Sequence, residues 1–161
     1  MSRRPPPDLD SYLERARRAC FICAVVARES EYPHRVIYED ERSIAFLNAY
    51  PTLLGATLVA PRKHREHVTA DFSRDEYIEL QCVVYRVGEA LRRVVPTERV
   101  YVLSLGSRDA NSHVHWHVAP LPPGVPLEKQ QLAALSWEGG VVDVDEAEQA
   151  ALADRLRALL E

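Results

Sequence analysis

The sequence has few cysteines and no long apolar run, and both absences narrow the class of protein. Its 161 residues include three cysteines, and no apolar stretch approaches the roughly 18 residues needed to cross a bilayer. Residues 1–7 carry two arginines without a following apolar segment, which is not the pattern of a secretory signal. Free thiols in a reducing compartment are therefore expected, rather than a disulfide framework. We expect a cytoplasmic protein without a membrane partner.

An excess of positive charge is also missing. The formal net charge is −4, with 47% hydrophobic and 27% charged residues. This balance argues against a protein that coats nucleic acid, although a local field can still attract a small anionic ligand. The length and composition are typical of one globular domain.

Histidine is concentrated in one short segment. Residues 113–120 read His-Val-His-Trp-His-Val-Ala-Pro, which places half of the six histidines within five residues. The alternation predicts a β-strand in which the three imidazoles share one face and the apolar residues share the other. An imidazole can act as a ligand, base or nucleophile near neutral pH. The alternative interpretation is a solvated strand face.

A second motif is the pair Cys20-Phe21-Ile22-Cys23. Such a pair can be redox-active, can hold a metal, or can pack unliganded in a core. A thioredoxin-like motif should open a helix in a βαβ unit, which the flanking sequence does not predict. Two thiolates supply half of a tetrahedral zinc site, so the remaining ligands must come from elsewhere.

The coarse order of elements predicts an α+β fold with an antiparallel sheet. In the helix over 8–19, Asp10 is expected to be the N-cap. In the helix over 72–95, Ser73 and Glu76 have capping-box spacing. Ile78 is expected on the apolar face of that helix, and Cys82 is expected to be buried. The predicted elements are a helix over 8–19, a hairpin of strands 36–39 and 43–48, a strand over 55–60, a long helix over 72–95, a strand over 100–105, the histidine strand and a helix over 147–160.

These motifs resemble the histidine triad (HIT) superfamily, in its zinc-binding C-x-x-C subtype. The resemblance covers residues 20–120 and includes Gly55-Ala56-Thr57-Leu58-Val59-Ala60-Pro61, the following Arg62-Lys63-His64, and the triad. It implies an antiparallel sheet of about five strands with the long helix packed on it, plus N- and C-terminal helices. Residues 1–19 are then a tail and short helix, and residues 121–161 a Pro-rich loop and helix of the same domain. A homodimer is also implied.

The resemblance further implies site roles. His115 is the nucleophile at the α-phosphate of a nucleotide, and His117 is a charged donor to the phosphoryl oxygens. Asn48 matches a residue that contacts ribose hydroxyls, although it can equally bond the local backbone. A structural zinc would be held by Cys20, Cys23, His64 and His113, with His67 as the competitor to His64.

Departures from the family pattern leave the identity of the substrate's leaving group undetermined. Asp109 and Ala110 stand where relatives often carry Gln and Ser, so Ser107 and Asn111 are the candidate phosphate donors. An acid facing a phosphate would repel it, so Asp109 is expected to turn away.

Three functions remain open at this point. The first is a hydrolase or nucleotidyltransferase acting on a nucleoside phosphoramidate or a dinucleoside polyphosphate. The second is a non-catalytic nucleotide-binding or interaction protein on the same fold. The third is a metalloenzyme in which all three triad histidines hold a catalytic zinc.

Overall fold

The computed structural model describes residues 2–29 and 34–161. The elements are β1 (Arg3–Arg4), α1 (Leu9–Arg18), α2 (Phe21–Val26), β2 (Val36–Glu39), β3 (Ser43–Leu47), β4 (Thr57–Pro61), α3 (Arg74–Val94), β5 (Arg99–Ser104), β6 (Trp116–Leu121), α4 (Gln130–Leu135), β7 (Val141–Val142) and α5 (Glu146–Leu160). A short 3₁₀ turn at Leu127–Lys129 precedes α4. The main feature of the fold is a five-stranded antiparallel sheet with the strand order β2-β3-β4-β6-β5.

The predicted hairpin is confirmed, and its turn has a local cause. The carboxylate of Asp40 accepts hydrogen bonds from the backbone N–H groups of Arg42 and Ser43, at 2.8 and 2.7 Å. This side chain mimics a backbone turn and reverses the chain between β2 and β3. The α+β class with five antiparallel strands is likewise confirmed.

One face of the sheet is covered by α3 and α5. Alternate strand residues such as Val59, Trp116 and Val118 point into this core and meet the apolar faces of both helices. The predicted capping box begins α3, since Ser73 accepts from the N–H of Glu76 and Glu76 accepts from the N–H of Ser73. This helix fixes the back of the sheet, behind the histidine segment.

The opposite face is covered only at its two ends. At one end, α2 packs against β3 and β4, with Ile22 and Val25 buried against Phe46 and Leu58. At the other end, α4 packs against Ala119 and Leu121 of β6. The middle of this face is left for a cavity.

Two segments outside the five-stranded sheet, one near each end of the chain, are joined by strand pairing. The tail before α1 contains β1, which pairs antiparallel with β7. Arg3 also donates to the carbonyl oxygens of Gly140 and Thr52, at 2.8 and 3.0 Å. This clasp of β1 and β7 lies over the loop between β3 and β4, because the N–H of Val142 donates to the carbonyl of Pro51.

Several local predictions are wrong. Asp8, not Asp10, caps α1, since its carboxylate accepts from the N–H of Ser11. Ile78 is 46% exposed and Cys82 is exposed, so both lie on the outer face of α3. The histidine strand begins at Trp116, three residues later than predicted. Within the described ranges, no helix combines the length and the hydropathy that a membrane span requires.

Candidate active site and metal centre

The open middle of the sheet holds a cavity of about 910 Å³ that contains His115 and His117. His117 lies directly opposite Leu58 on β4 and Leu103 on β5, so its side chain shares their face of the sheet. His115 lies just before β6, where Ser104 donates to its carbonyl oxygen at 2.9 Å. The cavity floor is therefore made by the sheet itself.

The ring of His115 is oriented by its own backbone. Its Nδ1 lies 2.7 Å from the carbonyl oxygen of His113, and a carbonyl can only accept a hydrogen bond. The proton must sit on Nδ1, which leaves the lone pair of Nε2 free for chemistry. The side chain is 4% exposed, and this burial lowers its pKa, so the ring is neutral at pH 7. A neutral imidazole with a fixed tautomer is a competent nucleophile.

His117 lies beside His115, with 4.9 Å between the ring centroids. Burial, and then the neighbouring His115, lower the pKa of His117 to about 4. In the free chain the ring is therefore a neutral hydrogen-bond donor at pH 7, rather than the charged one expected from the sequence. Its N–H can still be aimed at an oxygen of a bound phosphate.

The other three candidate substrate-binding residues, after His117, also line the cavity. Asn48 accepts the N–H of Tyr50 through its Oδ1, at 2.9 Å, so it does bond the local backbone. Ser107 accepts the N–H of Asp109 at 3.2 Å. Asn111 has a left-handed backbone (φ 56°) and donates to the hydroxyl of Tyr12 at 2.7 Å. Asp109 is exposed and does not line the cavity, in agreement with the repulsion argument.

The four candidate metal ligands come together next to the cavity. Among the described residues, one ligand atom each of Cys20, Cys23, His64 and His113 lies within 4.8 Å of all the others. The Sγ of Cys20 is 3.3 Å from Nδ1 of His113, and the Sγ of Cys23 is 3.4 Å from Nδ1 of His64. Zn–S bonds of ~2.3 Å and Zn–N bonds of ~2.0 Å imply tetrahedral edges of roughly 3.3–3.8 Å. The three sulfur–nitrogen distances of 3.3, 3.4 and 3.5 Å between the cysteines and the histidines fall within this range, and the cluster contains His64 rather than His67.

The second nitrogen of each cluster histidine supports the same conclusion. Nε2 of His113 lies 2.9 Å from the carbonyl oxygen of Pro61, and Nε2 of His64 lies 3.3 Å from Glu66. Both acceptors hold the proton on Nε2 and leave Nδ1 to face the sulfurs, which is the usual outer support of a metal-bound histidine. Burial, and then the adjacent Cys20, raise the pKa of Cys23 to about 11, so zinc binding must displace a proton.

A group of aromatic side chains in the cavity was not predicted. We call Tyr12, Tyr50 and Trp137 the aromatic wall, since all three line the cavity and meet edge to face. Their ring centroids are 5.2–6.1 Å apart. They come from α1, the β3–β4 loop and the segment after α4. No periodicity links these positions, so the sequence carries no signal for the wall.

Comparison with known proteins agrees with this geometry. The model of the HIT domain matches residues 29–123. An uncharacterized HIT-like protein of Methanocaldococcus jannaschii is 32% identical over 104 residues, which cover 63% of this chain and 78% of that protein. The adenosine 5'-monophosphoramidase hnt1 of Schizosaccharomyces pombe is 29% identical over 74% of this chain and 95% of its own length. A zinc-bound histidine triad family protein from Mycobacterium smegmatis superimposes with a TM-score of 0.68 at 26% identity, covering 89% of this chain and 94% of its own.

Proposed function

The chain belongs to the HIT domain family, and from that premise we propose that it is a hydrolase or nucleotidyltransferase that forms a nucleotidyl intermediate on His115. The observation that carries the proposal is the hydrogen bond from Nδ1 of His115 to the carbonyl of His113, which leaves Nε2 as the free nucleophile inside a cavity. The relative from Schizosaccharomyces pombe, an adenosine 5'-monophosphoramidase, supports a nucleoside phosphoramidate as one substrate. A dinucleoside polyphosphate is the other.

The reaction has two displacements at phosphorus. In the first, the lone pair of Nε2 forms an N–P bond as the bond between phosphorus and the leaving nitrogen or oxygen breaks. The leaving group departs with the electron pair and takes a proton from solvent. In the second, a water oxygen attacks phosphorus, the N–P bond breaks, its electrons return to His115, and the water loses a proton. A nucleoside 5'-monophosphate is released, and another acceptor in place of water gives transfer.

The other cavity residues have supporting roles in this proposal. We propose that His117, Ser107 and Asn111 donate hydrogen bonds to the phosphoryl oxygens as neutral donors, and that Asn48 contacts the ribose. Donors that are already in place act on the charge that develops in the transition state without further reorganisation. The hydroxyl of Tyr12 holds the amide of Asn111, which keeps the loop before the histidines in one arrangement.

We also propose that Cys20, Cys23, His64 and His113 hold a structural zinc ion. Four protein ligands leave no open coordination position, so the ion would tie α2 to the segment before β6 and would take no part in the displacement. His113 faces both sulfurs with Nδ1 and Pro61 with Nε2, which argues against a catalytic zinc held by the three triad histidines. Two thiolate ligands suit a reducing compartment, and this supports a cytoplasmic location.

A homodimer is the assembly that we propose. β5 is an edge strand of the sheet, and its residue Val102 is 49% exposed. An exposed apolar edge strand invites pairing with another chain. Val102→Lys should shift the sedimentation of the protein from dimer to monomer, and an unchanged value would place the interface elsewhere. Residues 121–161 are proposed to belong to the same domain, since Leu152 and Leu156 of α5 complete the core under the sheet.

The test of activity is release of adenosine 5'-monophosphate from adenosine 5'-phosphoramidate and from a dinucleoside polyphosphate. His115→Ala should reduce release on the order of 10³-fold or more, because it removes the imidazole whose free Nε2 is fixed by the hydrogen bond from Nδ1 to the carbonyl of His113. The matched control is His67→Ala, which removes an exposed histidine outside the cavity and the metal cluster. If the wild type and His115→Ala both bind nucleotide and neither releases adenosine 5'-monophosphate, the non-catalytic alternative would be favoured.

A further inference from the structure

We propose that Cys20 and Cys23 are a site of oxidative modification, where a peroxide converts the two thiols to a disulfide that excludes zinc and slows catalysis at His115. The pair then has two alternative states, one that holds the metal and one that does not. Formation of the disulfide is independent of the proposed function, whereas its effect on catalysis rests on that function.

The backbone sets the two cysteines at a distance that suits a disulfide. Phe21 and Ile22, which lie between them, are the first two helical residues of α2. The separation of Cα atoms three residues apart depends on the conformation of the two residues between them, and a helical turn makes it roughly 5 Å. Disulfides need Cα atoms about 4.4–6.8 Å apart. The Cα separation therefore meets this requirement without a change in the helix.

The two side chains also lie close together. The Sγ of Cys20 accepts the N–H of Cys23 at 3.4 Å, which holds it over the first turn of α2. Both sulfurs belong to the cluster whose ligand atoms all lie within 4.8 Å of one another. Rotation about the Cα–Cβ bonds would bring the sulfurs to the ~2.05 Å of an S–S bond. Sulfurs joined in this way are no longer thiolates, which are the form that binds a metal.

An oxidant can reach the pair from solvent. Both cysteines are half-buried, and the exposed His64 has its Nδ1 3.4 Å from the Sγ of Cys23. The third cysteine, Cys82, is exposed on α3 and lies outside the cluster. A thiol that is oxidised beside a second thiol condenses with it to a disulfide, which is a reversible product. The geometry gives this route to Cys20 and Cys23.

The oxidation balances with one molecule of hydrogen peroxide. One sulfur, as its thiolate, attacks a peroxide oxygen, the O–O bond breaks, and a sulfenic acid forms as hydroxide leaves. The other sulfur attacks the sulfenic sulfur, the S–S bond forms, and the S–O bond breaks to release a second hydroxide. The hydroxide ions take the protons that the two thiols lose, which gives two water molecules. The sulfurs lose two electrons, and the peroxide gains them.

His113 connects the pair to the catalytic histidine. Its Nδ1 lies 3.3 and 3.5 Å from the sulfurs of the two cysteines, and its carbonyl oxygen fixes the tautomer of His115. Phe21, between the cysteines, makes an edge-to-face contact with the ring of His115, with 5.9 Å between the centroids. A change at the sulfurs therefore reaches His115 through two separate contacts.

The fold should survive the modification. Ile22 and Val25 hold α2 on the sheet by packing against Phe46 and Leu58, and these contacts are made by apolar side chains and not by the sulfurs. The helix should therefore stay in place when the disulfide forms. Thiol–disulfide exchange in a reducing compartment would then return the pair to its reduced state once the peroxide is removed.

The experiment uses Cys82→Ser as the background protein, so that Cys20 and Cys23 are the only thiols in the chain. The zinc-loaded protein is treated with hydrogen peroxide, with and without a chelator. Intact mass, zinc content and release of adenosine 5'-monophosphate from adenosine 5'-phosphoramidate are then measured. We expect a mass loss of two hydrogen atoms, almost complete loss of zinc, and release that is about 10–100-fold slower. A phosphine reductant with added zinc should reverse all three changes.

The variant Cys23→Ser in the same background tests the pairing. With one cysteine left, treatment should add oxygen to Cys20 and should not remove two hydrogen atoms from the monomer. A loss of two hydrogen atoms that persists in this variant would mean that Cys20 bonds to a group other than Cys23, and it would overturn the proposed disulfide.

The three measurements separate the modification from the proposed function. If the background protein, treated with peroxide and chelator, keeps free thiols or carries only added oxygen, the disulfide is overturned. A disulfide that leaves the release of adenosine 5'-monophosphate unchanged would overturn its effect on His115. Absence of release by the untreated protein would overturn the proposed function, and mass and zinc content would still test the disulfide.

Discussion

Replacement of Cys20 by serine is the sharpest test of the metal cluster, because it removes a metal ligand and keeps the N-cap of α2. Cys20 is the N-cap of α2, where its Sγ accepts the N–H of Cys23 at 3.4 Å. Serine is among the preferred N-cap residues, so Cys20→Ser retains the cap. The thiolate ligand is lost, and the Nδ1 of His113 loses its partner at 3.3 Å. The variant therefore isolates the contribution of the metal.

The expected magnitude follows from linkage. A ligand that binds only the folded chain stabilises it by RT ln(1 + [L]/Kd), which is ~2.7 kcal/mol when free zinc is 100 times Kd. For a domain of this size, 1 kcal/mol shifts Tm by about 2–4 °C, so zinc should raise the wild-type Tm by about 5–10 °C. Cys20→Ser should show almost none of this shift, since three remaining ligands hold zinc far more weakly.

The assay is elemental analysis of purified protein together with thermal unfolding, with and without a chelator. The wild type should carry one zinc per chain and lose stability on chelation. Cys82→Ser is the matched control, because its thiol is exposed on α3 and outside the cluster. Retention of one zinc per chain by Cys20→Ser would refute the Cys₂His₂ site and return the catalytic-zinc alternative.

Two further predictions concern the clasp and the loop that carries His64. Gly140 has φ 77°, and a Cβ there would lie 2.7 Å from the carbonyl oxygen of Arg4, whereas Gly124 has φ 87° with nothing within 4 Å. Gly140→Ala should therefore destabilise the protein in urea by more than Gly124→Ala, and equal losses would mean that backbone strain alone acts. Arg65 beside Glu76, then the backbone N–H of Ser73, hold the pKa of Glu76 at about 2, below its ordinary 4.5. Because the folded-state pKa of Glu76 is depressed, its ionised carboxylate stabilises the fold above about pH 4.5, and this contribution is lost as the pH falls toward 2. The difference in unfolding free energy between the wild type and Glu76→Gln should therefore narrow between pH 5 and pH 2. A pH-independent gap would contradict this.

The sheet and the long helix were predictable from local signals. Two short apolar runs with a polar break at 40–42 define the hairpin, and the capping box at Ser73 marks the start of α3. The bounds of the histidine strand were not predictable. The N–H of Val114 donates to the carbonyl of Arg65, outside the sheet, so the ladder begins only at Trp116. The periodicity of the side chains does not reveal this long-range bond.

The candidate site was likewise predictable only in part from the sequence. The cysteine pair and the triad are short motifs, and the resemblance to a family supplied the partners that join them into one cluster. The tautomer of His115 depends on a backbone carbonyl, which every residue has and no motif identifies. The aromatic wall joins Tyr12, Tyr50 and Trp137, which lie far apart in the sequence. Contacts of this kind depend on tertiary packing and not on local propensity.

The most direct test of the account is to trap the covalent intermediate. Wild-type protein is mixed with adenosine 5'-phosphoramidate, quenched in alkali within the first turnover, digested and measured by mass spectrometry. If His115 is the nucleophile, an adenosine 5'-phosphoryl adduct should appear on the peptide that contains residues 113–117, localised to His115 by fragmentation and absent from His115→Ala. An adduct on His117, or steady turnover with no adduct on any histidine, would contradict it.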